Sequence, residues 1–196
     1  MEVMENAIVN AYEIHTNWGY KSIELYNADI CDFPKDLDCL VFSAFQSSYL
    51  PIPNTLIEAI ENTFNINCSD LAKKPAIDLR REFDVCVSPD ISSKVKRFAC
   101  VELNRLNDVI PNYPVIINNL FTLFTVMDQL GMKVESIALP VIGTGNQKIK
   151  PELIIPSVIE GSIRGLEKIE QLKKVYIVEL STEKIIREIK DGKIFI

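Results

Sequence analysis

The alternation of element types in the second half of the chain constrains the fold more than any other feature of the sequence. Apolar residues recur at helical spacing over residues 113–130, and a short apolar strand is predicted at residues 135–139. After a glycine-bearing loop, a helix is predicted from Pro151 to about residue 166, then a strand at residues 174–180 and a last helix to about residue 190. Such alternation is typical of a largely parallel sheet with helices on both faces.

The first half of the chain predicts further strands and two short helices. Strand-like runs at residues 7–15 and 21–26 flank a turn at residues 17–19, which indicates a hairpin at a sheet edge. A buried strand is predicted at residues 38–44, followed by a helix that Asn54 or Thr55 caps and that ends near residue 64. The remaining predictions here are a short helix that begins at Ser69 or Asp70, and strands at residues 83–88 and 97–103.

The chain shows no internal repeat and no clear domain boundary. We therefore expect a single domain over residues 1–196, with residues 1–22 as an N-terminal strand or hairpin extension. A chain of 196 residues with 47% hydrophobic residues can bury a core without disulfides or metals.

Charge and cysteine content exclude several classes of protein. The net charge is -6, with 21 Lys and Arg against 27 Asp and Glu, so we expect no nucleic-acid partner, which would favour a basic surface. Five cysteines without a CxxC spacing predict buried free thiols in a reducing compartment. No secretory signal or spanning segment is recognised, so the cytoplasm is expected. No metal and no cofactor are predicted.

The loop at residues 140–146, Pro-Val-Ile-Gly-Thr-Gly-Asn, carries the most informative chemistry. It follows an apolar strand, and ligands in open α/β sheets settle beyond the carboxyl ends of the strands. Gly143 and Gly145 allow the backbone to turn with several N–H groups on one side, an arrangement that binds oxyanions without Lys or Arg. The alternative is a tight turn between strand and helix, because the loop is neither a Walker loop nor a GxGxxG motif.

A carboxylate also ends an early strand. Residues 23–30 read as a strand that ends in a carboxylate, that of Asp29. A carboxylate in this position can accept a hydrogen bond from an exocyclic amine such as that of adenine. The alternative for Asp29 is a helix cap or a turn residue.

Together these features resemble the macro domain family, over about residues 23–190. The resemblance rests on Asp29-Ile30 after an early strand and, much later, on Ala-Leu-Pro-Val-Ile-Gly-Thr-Gly at residues 138–145. It implies an α/β fold, a three-layer α/β/α sandwich with a mixed, largely parallel sheet, and an ADP-ribose-like nucleotide as the ligand. Asp29 would bind the adenine amine beside the backbone of Ile30. The other positions that the resemblance assigns are Val141, Ile142, Gly143, Thr144, Gly145 and Asn146 for the diphosphate and distal ribose side, and Leu180 and Ser181 near the adenine.

The chain departs from ADP-ribose-hydrolysing macro domains after the strand at residues 38–44. Those domains carry Asn-Ala-Ala-Asn and a glycine-rich loop, whereas this chain has Ser43 and Ala44, then Gln46 in place of the ribose-positioning Asn. Tyr49 is a candidate to stack on a base or close over a ribose, with core packing as the alternative. The usual catalytic set is therefore not matched, which favours a binding module. The alternative is a hydrolase of ADP-ribosyl or acyl-ADP-ribose esters in which Gln46 or Asp78 orients water.

The segment at residues 43–53 resembles a divergent macro subfamily of bacterial TIR-linked antiphage systems of the Thoeris type. This resemblance implies that the chain senses ADP-ribose or an NAD-derived ADP-ribose conjugate. The implied partners are the product of a TIR protein as the signal, and an effector domain or further copies of the chain. We recognise no effector segment in the sequence, so an isolated sensor domain is expected.

Overall fold

The computed structural model describes residues 7–91, 94–103, 111–143, 149 and 151–179, and within them eight strands form one sheet. The strands are β1 (Ala7–Thr16), β2 (Gly19–Asn27), β3 (Leu37–Phe45), β4 (Ile77–Leu79), β5 (Val85–Val87), β6 (Val95–Leu103), β7 (Ser136–Pro140) and β8 (Lys174–Glu179). The helices are α1 (Leu56–Phe64), α2 (Cys68–Lys73), α3 (Arg80–Phe83), α4 (Tyr113–Gln129) and α5 (Pro151–Lys168), with a 3-10 helix at Ile30–Asp32.

The sheet is mixed, with its parallel strands at the centre. The strand order is β1-β2-β8-β7-β3-β6-β5-β4, and the five strands from β2 to β6 in that order run parallel. β1 pairs with β2 antiparallel at one edge, and β5 and β4 continue antiparallel from β6 at the other. Parallel neighbours need crossover connections, which place helices on the faces of the sheet. The predicted largely parallel sheet and the edge hairpin are confirmed.

Helices cover both faces and make a three-layer sandwich. One face packs against α4 and α5, where Ile117 and Phe121 belong to the larger core cluster. The other face packs against the 3-10 helix, α1 and α2, where Phe33 and Ile60 belong to a second core cluster. Successive β3 residues alternate between the clusters and are buried on both sides, as expected for a central parallel strand.

α4 and α5 approach each other very closely. A Cβ atom at Gly165 would lie 2.1 Å from Cδ1 of Phe121, and one at Gly161 would lie 2.3 Å from Cγ2 of Ile117. Carbon atoms in ordinary contact are about 3.5–4.0 Å apart. The two glycines therefore set the distance between the helices.

Hydrogen bonds and backbone conformation define several helix ends, and the sequence predicted the first two of them. Thr55 caps α1, because its side chain accepts a hydrogen bond from the amide of Glu58 at 3.3 Å. Gly131 follows α4 with φ +70°, the left-handed conformation that ends many helices. At the end of α5, the buried ammonium of Lys21 donates to the carbonyls of Ile169 at 2.6 Å and Glu170 at 3.1 Å.

Some predicted elements are wrong in place or type. The strand predicted at residues 83–88 is only β5, because the preceding residues form α3, which ends at Asp84 with φ 56°. β4 was not predicted, and α2 begins one residue before Ser69 because Asn67 is its cap. The last predicted helix, to residue 190, lies outside the described residues. All five cysteines are buried and free, as predicted.

Candidate functional site

The candidate site lies at the carboxyl rim, the edge of the sheet where its five parallel strands end. Asp29 follows β2, Gln46 follows β3, and Gly143 follows β7 by three residues. In the sheet, β8 and β7 separate β2 from β3, so the rim spans three strand spacings from Asp29 to Gln46, roughly 14 Å. The topology therefore brings the three predicted regions to one edge.

The sheet parts at this rim between β3 and β7. Their ladder consists of Cys39 with Ile137 and Leu40 with Ala138, although β3 runs on for five more residues. β7 keeps its pairing with β8 as far as Pro140. After β3 the chain crosses to the side of the sheet that contains β6, whereas after β7 it crosses to β8 on the other side. Such a switch point opens a crevice in which ligands of α/β proteins bind.

The loop after β7 begins with two buried residues. Val141 and Ile142 are only 2% and 1% exposed and pack into the larger core cluster, so their side chains are not offered to a ligand. Gly143 has φ +96°, a conformation that side chains disfavour. Its carbonyl accepts a hydrogen bond from the amide of Ile149 at 3.1 Å, which ties together the two ends of the loop. The predicted Thr144, Gly145 and Asn146 lie outside the described residues.

Asp29 caps a helix, which is the alternative role that the sequence analysis kept open for this residue. Its Oδ1 accepts a hydrogen bond from the amide of Cys31 at 2.9 Å and caps the 3-10 helix, while the residue stays exposed. Ile30 is buried in the second core cluster and can meet a ligand only through its backbone. Leu180 and Ser181 lie outside the described residues, directly after the end of β8. The adenine contact stays a prediction.

The end of β3 forms the third part of the rim. Ser43 is half-buried, Ala44 is buried, and Gln46 is exposed. The amide of Gln46 donates to the carbonyl of Leu103 at 3.0 Å, which fixes its main chain beside β6. Ser47 then adopts φ 58°, so the chain turns sharply. The Gln46 main chain is therefore held at the rim, and the role of its side chain toward a ribose stays a prediction.

Tyr49 supports this turn through a network of hydrogen bonds. It is 6% exposed, and its hydroxyl donates to Oε1 of Glu102, which itself is buried at the end of β6. Nη1 of Arg80 donates to the Tyr49 hydroxyl at 3.3 Å, and the amide of Ser47 donates to Glu102 at 3.4 Å. Burial, first of all, raises the pKa of Tyr49, so the hydroxyl stays protonated. Core packing therefore describes this side chain, and its predicted contact with a ligand is untested.

Sequence reasoning missed the role of Glu102. In the sequence, Glu102 is an acidic residue near the end of an otherwise apolar strand. A strand end that is exposed to solvent would show the same pattern, so the sequence did not predict a buried role. Arg80, which donates to the Tyr49 hydroxyl, also binds Asp78, with its Nε 2.8 Å from Oδ1 of Asp78. The link from Arg80 to Tyr49 joins that surface pair to the loop after β3.

A separate cavity of about 620 Å³ opens at the opposite, amino edge of the sheet. Two of its carboxylates are engaged within the protein: Asp90 pairs with Arg97, and Asp38 accepts from the amide of Glu135 at 2.8 Å. The cavity lies away from all the sequence-predicted site residues. The carboxyl rim is therefore the stronger candidate.

Comparison with solved structures identifies the class of fold. No family model matches the chain, and no curated protein sequence matches it. A macrodomain mutant of Oceanobacillus iheyensis with ADPR is similar at a TM-score of 0.65 and 14% identity, covering 92% of this chain and 100% of that one. The Trypanosoma brucei macrodomain in complex with ADP is similar at a TM-score of 0.61 and 13% identity, covering 83% and 65%.

A third similar structure is Thermosipho africanus DarTG in complex with ADP-ribose, at a TM-score of 0.60 and 15% identity. That match covers 86% of this chain and 44% of that chain. The chain therefore has the macrodomain fold, as its sequence predicted. None of the described helices combines the length and the apolar character needed to cross a bilayer.

Proposed function

We propose that the chain binds ADP-ribose, or an ADP-ribose conjugate derived from NAD, along the carboxyl rim. The observation that supports this most is the parting of β3 and β7 between the loop that carries Gly143 and the turn that carries Gln46. Asp29 stands at the far end of the same rim, where the adenine would lie. The macrodomain fold and its similar structures with ADPR, ADP and ADP-ribose support the same ligand class.

The electrostatics fit a ligand that main-chain amides hold. A diphosphate carries negative charge, and this chain has a net charge of -6, so general attraction would not favour binding. Backbone N–H groups in a turn such as the one at Gly143 bind oxyanions without a cationic side chain. The proposed diphosphate contacts are the main chain of Val141, Ile142 and Gly143, continued by Thr144, Gly145 and Asn146.

The two ends of the ligand would meet different surroundings. At the adenine end, the proposed contacts are Asp29, the backbone of Ile30, and Leu180 and Ser181 after β8. At the distal ribose end, they are Ser43, Ala44 and Gln46, with Tyr49 holding the turn in place. The departure from Asn at position 46 supports binding rather than hydrolysis.

Calorimetric titration of ADP-ribose tests the site directly. Gly143→Glu places an acidic side chain in the turn, and we expect it to abolish binding. Gly19→Glu is the matched control, because Gly19 has φ +98°, close to the +96° of Gly143, but lies at the start of β2, away from the carboxyl rim. Both substitutions strain the backbone, so only loss of binding confined to Gly143→Glu supports the site. Equal affinity of wild type and Gly143→Glu would refute it.

Thermal unfolding provides a second measurement. ADP-ribose at 100 times its Kd should stabilise the folded state by about 2.7 kcal/mol. For a chain of this size, that corresponds to a rise in Tm of roughly 5–10 °C. If no nucleotide raises Tm, a protein-interaction scaffold with a vestigial pocket is favoured instead. Incubation with acetyl-ADP-ribose or ADP-ribosylated protein separates binder from hydrolase, because a binder releases no product.

We further propose that the ligand is a signal that a TIR protein makes from NAD in bacterial antiphage defence. The support is the resemblance of residues 43–53 to the Thoeris-type subfamily. The test compares Tm shifts with NAD alone and with NAD that an active TIR enzyme has processed. A larger shift with the processed mixture than with ADP-ribose alone is expected, and equal shifts for NAD before and after processing would contradict the sensor role.

A further inference from the structure

Two buried cysteines face each other across the edge of the sheet. Cys86 in β5 and Cys100 in β6 are direct partners in an antiparallel ladder, so their side chains share a face. Two residues away on one side, the amide of Ser88 donates to the carbonyl of Phe98 at 2.9 Å. Two residues away on the other side, the amide of Glu102 donates to the carbonyl of Asp84 at 2.7 Å. Positions with and without main-chain hydrogen bonds alternate along an antiparallel ladder. The main chains of Cys86 and Cys100 are therefore hydrogen-bonded to each other, and the Cα atoms in such a pair are typically about 5.5 Å apart. This separation lies within the range of about 4.4–6.8 Å that disulfides require.

The surroundings activate one of these thiols. The hydrogen bond with Cys100 lowers the pKa of Cys86, burial opposes this, and the positive charge of Arg80 adds to the lowering. Burial raises the pKa of Cys100. Burial likewise raises the pKa of the other thiols to about 12, at Cys31, Cys39 and Cys68. Cys86 is thus the thiol most readily ionised, and the thiolate is the reactive form.

The same pair lies beneath the loop after β3. The Tyr49 side chain, whose hydroxyl donates to Glu102 and accepts from Arg80, belongs to the same buried core cluster as Cys86 and Cys100. A disulfide draws the sulfur of Cys86 toward that of Cys100. Oxidation would therefore repack the cluster from which Tyr49 supports the turn at Gln46.

We propose that Cys86 and Cys100 form a reversible disulfide on exposure to a peroxide, and that this loosens the loop after β3 at the carboxyl rim. The disulfide itself does not depend on the proposed function, whereas its effect on a ligand does. Both thiols are buried, so we expect the peroxide to reach them when the short edge strands β4 and β5 open locally.

The chemistry balances in two steps. The Cys86 thiolate attacks one oxygen of hydrogen peroxide, an S–O bond forms as the O–O bond breaks, and the departing hydroxide takes a proton and leaves as water. The Cys100 thiol then attacks the sulfenic sulfur, so an S–S bond forms and a second water leaves. Two thiols are oxidised and one peroxide is reduced to two waters. A dithiol such as dithiothreitol reverses the change by thiol–disulfide exchange.

Counting free thiols tests the first claim. The protein is exposed to hydrogen peroxide, quenched with catalase, unfolded, and labelled with N-ethylmaleimide for intact-mass measurement. The reduced protein takes five labels, one per cysteine. We expect the oxidised protein to lose two of the five labels and a digest to show the Cys86–Cys100 crosslink. Retention of all five labels, or a crosslink between other cysteines, would overturn the proposal.

Variants confirm the assignment. Cys68→Ser removes a buried thiol outside the pair, and we expect it still to lose two labels on oxidation. Cys86→Ser and Cys100→Ser should form no internal disulfide, and Cys86→Ala serves if the serine variant fails to fold. Loss of two labels in a folded Cys86 variant would contradict the pairing.

Hydrogen exchange tests the second claim without a ligand. We expect the amides of residues 46–53 to exchange faster in the oxidised protein and to recover with dithiothreitol. Unchanged exchange would overturn the link to the loop. If ADP-ribose binds, we also expect oxidation to raise its Kd at least about threefold, because less of the protein holds the binding-competent loop. Failure of both redox states to bind ADP-ribose would refute the proposed function but not the disulfide.

Discussion

Replacing Gly165 with alanine tests whether glycine sets the distance between α4 and α5. The added Cβ would lie 2.1, 2.4 and 2.9 Å from three ring atoms of Phe121, far inside ordinary contact. The ring has little room to move, since Phe121 is 6% exposed and lies between the helices. Overpacking of a core typically costs about 1–3 kcal/mol, and this overlap belongs in the upper half of that range.

Alanine also brings a gain that must be subtracted. It is favoured over glycine within a helix by about 1 kcal/mol. The net expectation for Gly165→Ala is therefore a loss of about 1–2 kcal/mol in the free energy of unfolding. For a chain of this size, the corresponding fall in Tm is roughly 2–8 °C.

Denaturant unfolding measures this loss as a lower midpoint at an unchanged slope. Glu167→Ala, on an exposed turn of the same helix, is the control and should change stability by less than about 0.5 kcal/mol. In a double-mutant cycle with Phe121→Leu, the smaller side chain should relieve the clash, with a coupling of about 1 kcal/mol. Additive effects, or a Gly165→Ala variant more stable than wild type, would refute the packing argument.

Three further predictions concern buried polar groups. Lys21→Met removes the donor that binds the carbonyls at the end of α5, and we expect a loss of about 1–3 kcal/mol on denaturant unfolding. Burial has the largest single effect on the pKa of Glu24 and raises it, but hydrogen bonds with Lys35 and Tyr26 and the charges of Lys35 and Lys174 together lower this pKa below its ordinary value. The stabilisation by Glu24 is therefore complete above pH of roughly 4.3 and is lost as the pH falls through the folded-state value. Glu24→Gln should therefore flatten the decline of stability in acid, and an unchanged decline would contradict this. Tyr49→Phe leaves the buried carboxylate of Glu102 with one donor fewer, and unfolding should show a loss of about 1–3 kcal/mol, whereas wild-type stability would contradict the bond.

Long elements with clear ends were predictable from the sequence. α4 and α5 each extend over several helical turns, and Gly131 and Pro151 mark a stop and a start by their backbone preferences. β4 and α3 were not predictable, because three or four residues are too few to display a period. The predicted helix cap by Thr55 is confirmed because its side chain satisfies an amide close in sequence.

The rim positions of the candidate site followed from strand ends, since carboxyl ends of parallel strands meet at one edge. The support beneath the turn did not follow, because the bond from Tyr49 to Glu102 joins residues 53 positions apart. The pairing of Cys86 with Cys100 likewise depends on strand register, which no local pattern in the sequence specifies.

The turn after β7 has a consequence for how such a chain can evolve. Val141 and Ile142 direct their side chains into the core and are almost fully buried, so neither position offers a side chain to solvent. Mutations there are constrained by the volume of the interior and by the handedness of the backbone at Gly143, not by the identity of an outward side chain. The shape of the turn therefore depends on few positions, which is compatible with only 14% identity between this chain and a structure of similar fold.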